Sequence, residues 1–177
     1  KKEVIINYFK KKPLKGLNID LVNTGKKTLT GTRLLKLKKK LTNNENFLLT
    51  YGDGVSNISL NKLLNFYLKN KKVATITAVR PPARFGELFL KNNLVKKFYE
   101  KNQIDTGWIN GGFFVFNKKI FDFIPKKSCM LEKEPMDNLT KKKQLNAFKH
   151  YGFWQCMDTL RDKKLLNKLW RSGQYKW

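Results

Sequence analysis

Phe47-Leu48-Leu49-Thr50-Tyr51-Gly52-Asp53-Gly54-Val55 decides how this chain reads. The apolar run at its start, closed by two glycines, has the pattern of a buried strand that ends in a sharp turn. Asp53 stands just past that strand, where open α/β sheets place ligand chemistry. Far downstream, Met157-Asp158-Thr159 sets a second aspartate at the head of a helical stretch, and the two are expected to face each other across a cleft. Two carboxylates brought together from distant parts of a chain can share one magnesium ion that also grips substrate phosphates. The same residues can also be a turn aspartate and a helix N-cap, and residue types alone leave both readings open.

Outward from this stretch, hydrophobic periodicity alternates between the helical and the extended period. Lys2 to Lys12 reads as the end of a helix, Leu17 to Val22 as a strand, and Arg33 to Leu41 as an amphipathic helix. Ser59 to Asn70 reads as a helix with Ser59 as its cap, and Val73 to Val79 as a β-branched strand ended by Pro81-Pro82. Gly86 to Leu90 and Leu94 to Glu100 form a hairpin. Ile109 to Phe116 is a strand carrying Gly111-Gly112, where missing side chains admit a close neighbour or a ligand. Two short helices (Lys118 to Ile124, Glu132 to Lys142), a strand within Phe148 to Trp154 and a helix from Thr159 to Arg171 complete the chain. Such alternation predicts one mixed α/β sandwich over residues 1–177.

Composition narrows the function. Hydrophobic residues at 41% and aromatics at 13% supply a core for one domain, and no apolar run approaches a membrane span. Two cysteines, Cys129 and Cys156, with one histidine, His150, exclude a disulfide scaffold or a Cys/His zinc site. Reduced thiols in a cytoplasmic protein are expected. The formal net charge of +25 points toward nucleic acid, but Arg occurs only at positions 33, 80, 84, 161 and 171. Specific readers of bases and phosphates favour the bidentate fork of Arg over Lys. The charge therefore predicts non-specific polyanion affinity and no sequence-specific nucleic-acid partner.

Five stretches carry a resemblance. They are Leu21-Val22-Asn23-Thr24-Gly25 with Thr30-Gly31-Thr32-Arg33-Leu34; Phe47 to Val55; Pro81-Pro82-Ala83-Arg84-Phe85-Gly86; Trp108-Ile109-Asn110-Gly111-Gly112-Phe113-Phe114-Val115; and Gly152-Phe153-Trp154-Gln155-Cys156-Met157-Asp158-Thr159-Leu160-Arg161-Asp162. In order and spacing the chain resembles the bacterial glucose-1-phosphate cytidylyltransferases, within the sugar nucleotidyltransferases. The resemblance implies a Rossmann-like nucleotidyltransferase sandwich with a mixed, mostly parallel sheet. It also implies CTP and glucose 1-phosphate as substrates, CDP-glucose and pyrophosphate as products, and a role in deoxysugar and surface polysaccharide synthesis. Magnesium is the implied cofactor, with Asp53 and Asp158 as its ligands. Thr28, Arg33 and Gly52 match nucleotide-contacting positions, and Gly86, Glu100, Lys101 and Asn110 match positions facing the sugar phosphate. A homo-oligomer is implied for the full-length family.

The chain departs from the family in three places. It lacks the initial strand and the Gly-x-Gly-Thr-Arg-Leu loop whose amides cradle phosphates. Gly31-Thr32-Arg33-Leu34 spells a similar string but matches a later family segment. The stretch between Phe9 and Leu21 is short, and no proline follows Glu100-Lys101. The chain is thus expected to be the C-terminal two-thirds of such an enzyme. The alternatives are a non-catalytic remnant that binds sugar nucleotide or a partner subunit, or a polyanion-binding protein.

Overall fold

Three consecutive residues, Phe114, Val115 and Phe116, are almost wholly buried, as only a strand covered on both faces can be. They belong to β6 (Ile109–Asn117), one of two central strands in a four-stranded sheet of a computed structural model that describes residues 2–81, 87–99 and 107–177. The sheet order is β1 (Asn46–Thr50), β6, β3 (Ala74–Val79), β7 (Leu145–His150). β6 runs antiparallel to both β1 and β3, and β3 runs parallel to β7, so three strands share one direction and β6 opposes them. The expected mixed, mostly parallel sheet is present in that sense.

Side chains alternate across β6 and so divide the core. Phe114 and Phe116 face a cluster with Leu34, Phe47, Ile120, Leu131 and Leu139, whereas Val115 faces Leu63 and Tyr67. The first face is covered by α2 (Thr30–Lys36), a 3₁₀ turn at Lys118–Asp122 and α5 (Glu134–Lys141). The second is covered by α4 (Leu60–Asn70), capped as expected by Ser59, whose hydroxyl accepts from the Lys62 amide at 3.3 Å. Each of these large apolar side chains contributes about 1.5–3 kcal/mol by leaving water.

The sequence reading needs several corrections. Leu17 to Val22 is not a strand: Leu17, Leu21 and Val22 are exposed, and among the described residues no strand pairs with this stretch. The helix expected over Arg33 to Leu41 begins at Thr30 and breaks at Leu37 into α2 and α3 (Lys38–Leu41). β1 is a sheet edge rather than a strand buried on both faces; Phe47 is buried while Leu48 remains 49% exposed. α6 (Leu160–Arg171) forms as expected; of its leucines Leu166 is buried, while Leu160 and Leu165 face solvent. The helix α1 (Lys2–Lys11) forms as expected but buries none of its residues. The hairpin is β4 (Glu87–Lys91) and β5 (Leu94–Tyr99), turned at Asn92 with φ 53°. No helix among the described residues is long and apolar enough to cross a membrane.

Candidate active site

A small ribbon that the sequence reading did not foresee brings the two aspartates together. β2 (Gly54–Ser56) pairs antiparallel with β8 (Trp154–Cys156), Gly54 lying opposite Cys156. The pairing continues one step further, where the Met157 amide donates to the Asp53 carbonyl at 2.8 Å. Asp53 and Asp158 therefore both lie at one end of one ribbon, Asp158 one residue beyond the backbone partner of Asp53. Both are exposed. The ribbon is fixed to the main sheet by Trp154, whose indole N–H donates to the Gly111 carbonyl at 2.8 Å. At its other end the Ser56 hydroxyl donates to the Phe153 carbonyl at 2.8 Å and lies 3.2 Å from His150 Nε2.

The helix-capping role open to Asp158 is filled by another residue. The cap of α6 is Thr159, whose hydroxyl accepts from the Asp162 amide, while the Asp162 carboxylate accepts from the Thr159 amide at 3.0 Å. Asp162 is buried and also accepts from Gln155 at 3.2 Å. With this capping box in place, Asp158 lies one residue outside the helix and is not its N-cap. Among the described residues neither Asp53 nor Asp158 has a side-chain hydrogen bond or ion pair. Gly52 is open, with nothing within 4 Å of where a Cβ would stand.

Beneath the aspartate turn lies a network that the sequence did not announce. The Tyr51 hydroxyl donates to Glu132 Oε1, and the Thr30 hydroxyl donates to Glu132 Oε2 at 2.7 Å. Burial holds the Tyr51 phenol well above its ordinary value, reinforced by the hydrogen bond and charge of Glu132 and by the charge of Asp53. A hydrogen bond with the Asn110 side chain acts in the opposite sense, which sets Asn110 beside Tyr51. Asn110 Oδ1 also accepts from the Gly112 amide at 2.8 Å. Gly112 has φ +76°, and a Cβ there would meet the Tyr51 ring at 2.9 Å. A Cβ on Gly111 would meet Val79 at 2.7 Å. Both glycines thus admit protein side chains rather than a ligand.

Thr28 and Arg33 form a second group around Thr24. Arg33 Nη1 donates to the Thr24 hydroxyl at 2.6 Å, and the Thr28 hydroxyl donates to the Thr24 carbonyl at 2.6 Å. The amides of Gly31 and Thr32 donate to the Cys129 carbonyl at 3.1 and 3.3 Å, so this stretch is not a phosphate loop. Gly31 is required there by packing, since a Cβ would meet Cys129 Sγ at 2.8 Å. Gly86, Glu100 and Lys101 lie outside the described residues. Nothing in the sequence singles out Glu132, a lone acid between Leu131 and Lys133.

The sequence profile of the family described as nucleotidyl transferase matches residues 6–159. The chain belongs to the nucleotidyl transferase family. Among its relatives, this nucleotidyl transferase is 43% identical over 160 residues to the glucose-1-phosphate cytidylyltransferase of Salmonella typhimurium. It is 42% identical over 160 residues to the probable glucose-1-phosphate cytidylyltransferase of Bacillus subtilis. Each match covers 90% of this chain and 62% of the relative, so the chain spans somewhat less than two thirds of the curated relatives it matches. In three dimensions it resembles HddC from Yersinia pseudotuberculosis, with a TM-score of 0.71 at 21% identity over 95% of this chain and 74% of that one. The same protein complexed with GMP-PN gives 0.70 at 22% identity, over 96% and 75% of the two chains. These likenesses bear on the fold, and agree with the Rossmann-like expectation.

Proposed function

We propose that this nucleotidyl transferase, at its full encoded length, moves a cytidylyl group from CTP to glucose 1-phosphate, forming CDP-glucose and pyrophosphate. The observation that carries the reading is the pair Asp53 and Asp158, two solvent-exposed residues at one ribbon end whose carboxylates have no side-chain partner among the described residues. The 43% likeness to a glucose-1-phosphate cytidylyltransferase supplies the substrate class. In the reaction a phosphate oxygen of glucose 1-phosphate attacks the α-phosphorus of CTP, the bond to the β-phosphate breaks, and pyrophosphate leaves in line. Chemistry of this kind asks a protein mainly to position two polyanions and balance their charge.

The donor set fits magnesium. Magnesium characteristically takes one or two carboxylates, with water and phosphate oxygens completing its shell, so a pair of carboxylates is a donor set it can use. Asp53 and Asp158 would hold it, and when bound it would neutralise charge on the triphosphate. Gly52, with open space over its backbone, leaves room for the nucleotide. Thr28 and Arg33 contribute a hydroxyl and a guanidinium on the nucleotide side, Asn110 an amide beside the aspartate turn. Gly86, Glu100 and Lys101 are assigned to the sugar phosphate on the resemblance alone. The product would feed deoxysugar and surface polysaccharide synthesis in the cytoplasm, and a homo-oligomer is the proposed assembly.

For these 177 residues by themselves a second reading has support. The amides of Gly31 and Thr32 are already taken by Cys129, so that string offers no phosphate cradle, and the isolated chain would bind sugar nucleotide without turning it over. Pyrophosphate release from CTP, UTP, GTP and dTTP with glucose 1-phosphate and magnesium tests both readings. The first predicts release with CTP by the full-length protein. Release with none of the four nucleotides, at full length, would remove it.

A further inference from the structure

The first turn of α2 is zipped to the segment Cys129–Glu132. Gly31 and Thr32 donate to the Cys129 carbonyl, the Cys129 amide donates to the Thr32 hydroxyl at 3.0 Å, and the Leu131 amide donates to the Thr30 hydroxyl at 2.9 Å. Glu132 ends this strap. One of its oxygens takes the Thr30 hydroxyl and the other takes the hydroxyl of Tyr51, the residue whose chain runs directly into Gly52 and Asp53. Tyr51 is itself seated firmly. Its ring packs on Gly112 and edge-on against Phe114 at 5.5 Å, and its amide donates to the Gly112 carbonyl at 3.0 Å.

We propose that Thr30, Glu132 and Tyr51 are positioning residues that fix the Asp53 turn relative to α2, the helix that carries Arg33. The inference rests on the nucleotidyl-transfer reading for its consequence, but not for its geometry. A carboxylate with one hydroxyl on each oxygen is a rigid, charge-assisted bridge, because both donors aim at fixed acceptors and neither competes with the other. Its two ends belong to the two groups of residues assigned above to magnesium and to nucleotide. A triphosphate gripped by both groups requires them to keep their separation. When the bridge is lost, each group remains folded on its own elements while their mutual register loosens.

The test uses Tyr51→Phe, which keeps the ring on Gly112 and removes only the hydroxyl, and Thr30→Val, which cuts the bridge from its other end. Thr30→Ser is the rescue. Amide hydrogen exchange is followed at Met157, whose N–H is held by the Asp53 carbonyl. Tyr51→Phe and Thr30→Val should each speed exchange there about tenfold, the factor a charge-assisted hydrogen bond accounts for. Thr30→Ser should restore it. In the full-length enzyme the same two variants should raise the magnesium concentration for half-maximal rate several-fold, with less change in the limiting rate at saturation. Unchanged exchange at Met157 in both variants overturns the proposal, as does a fall in Tm with unaltered magnesium dependence. If Tyr51→Phe does not fold, Thr30→Val against Thr30→Ser decides alone. Absence of turnover in the unsubstituted protein would count against the transferase reading and leave the exchange result standing.

Discussion

The amide of Met157 donates to the carbonyl of Asp53 at 2.8 Å, and this single bond extends the β2–β8 ribbon to Asp53 on one strand and to the residue before Asp158 on the other. It ties the end of the first readable motif to the start of the second. Asp53 is held by its own backbone carbonyl and Asp158 follows directly on Met157, so neither placement depends on the carboxylate. Substituting them should consequently cost function and little stability.

Asp53→Asn and Asp158→Asn should each lower turnover of the full-length enzyme by about a hundredfold or more, as loss of a principal charge-stabilising group does. Both positions are exposed, so the stability change should stay within about 0.5 kcal/mol. Steady-state kinetics paired with thermal melts checks this.

Thr159→Ala should remove half of the capping box of α6 and destabilise the fold by about 1 kcal/mol. The loss arises next to Asp158, so the melt should shift more than for the Asp158→Asn protein. Parallel chemical denaturation of the two variants measures the difference.

Gly112→Ala joins a left-handed backbone at φ +76° to a contact of 2.9 Å with the Tyr51 ring. The combined strain and displacement should cost about 2 kcal/mol or more. Gly52→Ala, where a Cβ meets nothing within 4 Å, should leave stability nearly unaltered while weakening nucleotide binding. Denaturation midpoints and nucleotide titrations of the two alanine variants separate these outcomes.

The phenol of Tyr51 is raised by burial first and by Glu132 second. A folded-state value above the unfolded one means that the group's contribution is complete below the ordinary phenol value near about 10 and is lost as pH rises beyond it. Stability should therefore fall from about pH 10 upward, and Tyr51→Phe should flatten that fall. Tyr67 is also raised by burial, so some alkaline sensitivity should persist in the variant. Melting temperatures collected across the alkaline range test the sign.

The legibility of the sequence followed its periodicity. α4 with its Ser59 cap, the apolar β3 and β6, and the hairpin β4–β5 were readable because apolar spacing, β-branching and turn residues agreed there. The stretch Leu17 to Val22 misled because an apolar alternation specifies a strand only where a neighbouring strand accepts its backbone. Asp158 was ambiguous because Asp, Thr and Asp at 158, 159 and 162 each suit a helix start, and only the capping-box geometry assigns the cap to Thr159. The strands of the β2–β8 ribbon, three residues each, were too short for a period to show. The bridge through Glu132 joins residues 81 and 102 positions apart, and no local pattern encodes it.

In the proposed function Asp53 and Asp158 together hold the cation of a nucleotide substrate. Binding of Mn²⁺, a spectroscopic stand-in for Mg²⁺, measured by electron paramagnetic resonance on the full-length protein with CTP present, tests it most directly. The unsubstituted protein should take up one ion per site in a nucleotide-dependent manner, and Asp53→Asn and Asp158→Asn should each weaken that uptake at least about tenfold, the effect of losing one anionic ligand. Unchanged Mn²⁺ uptake in both variants, with the fold intact, would contradict the account.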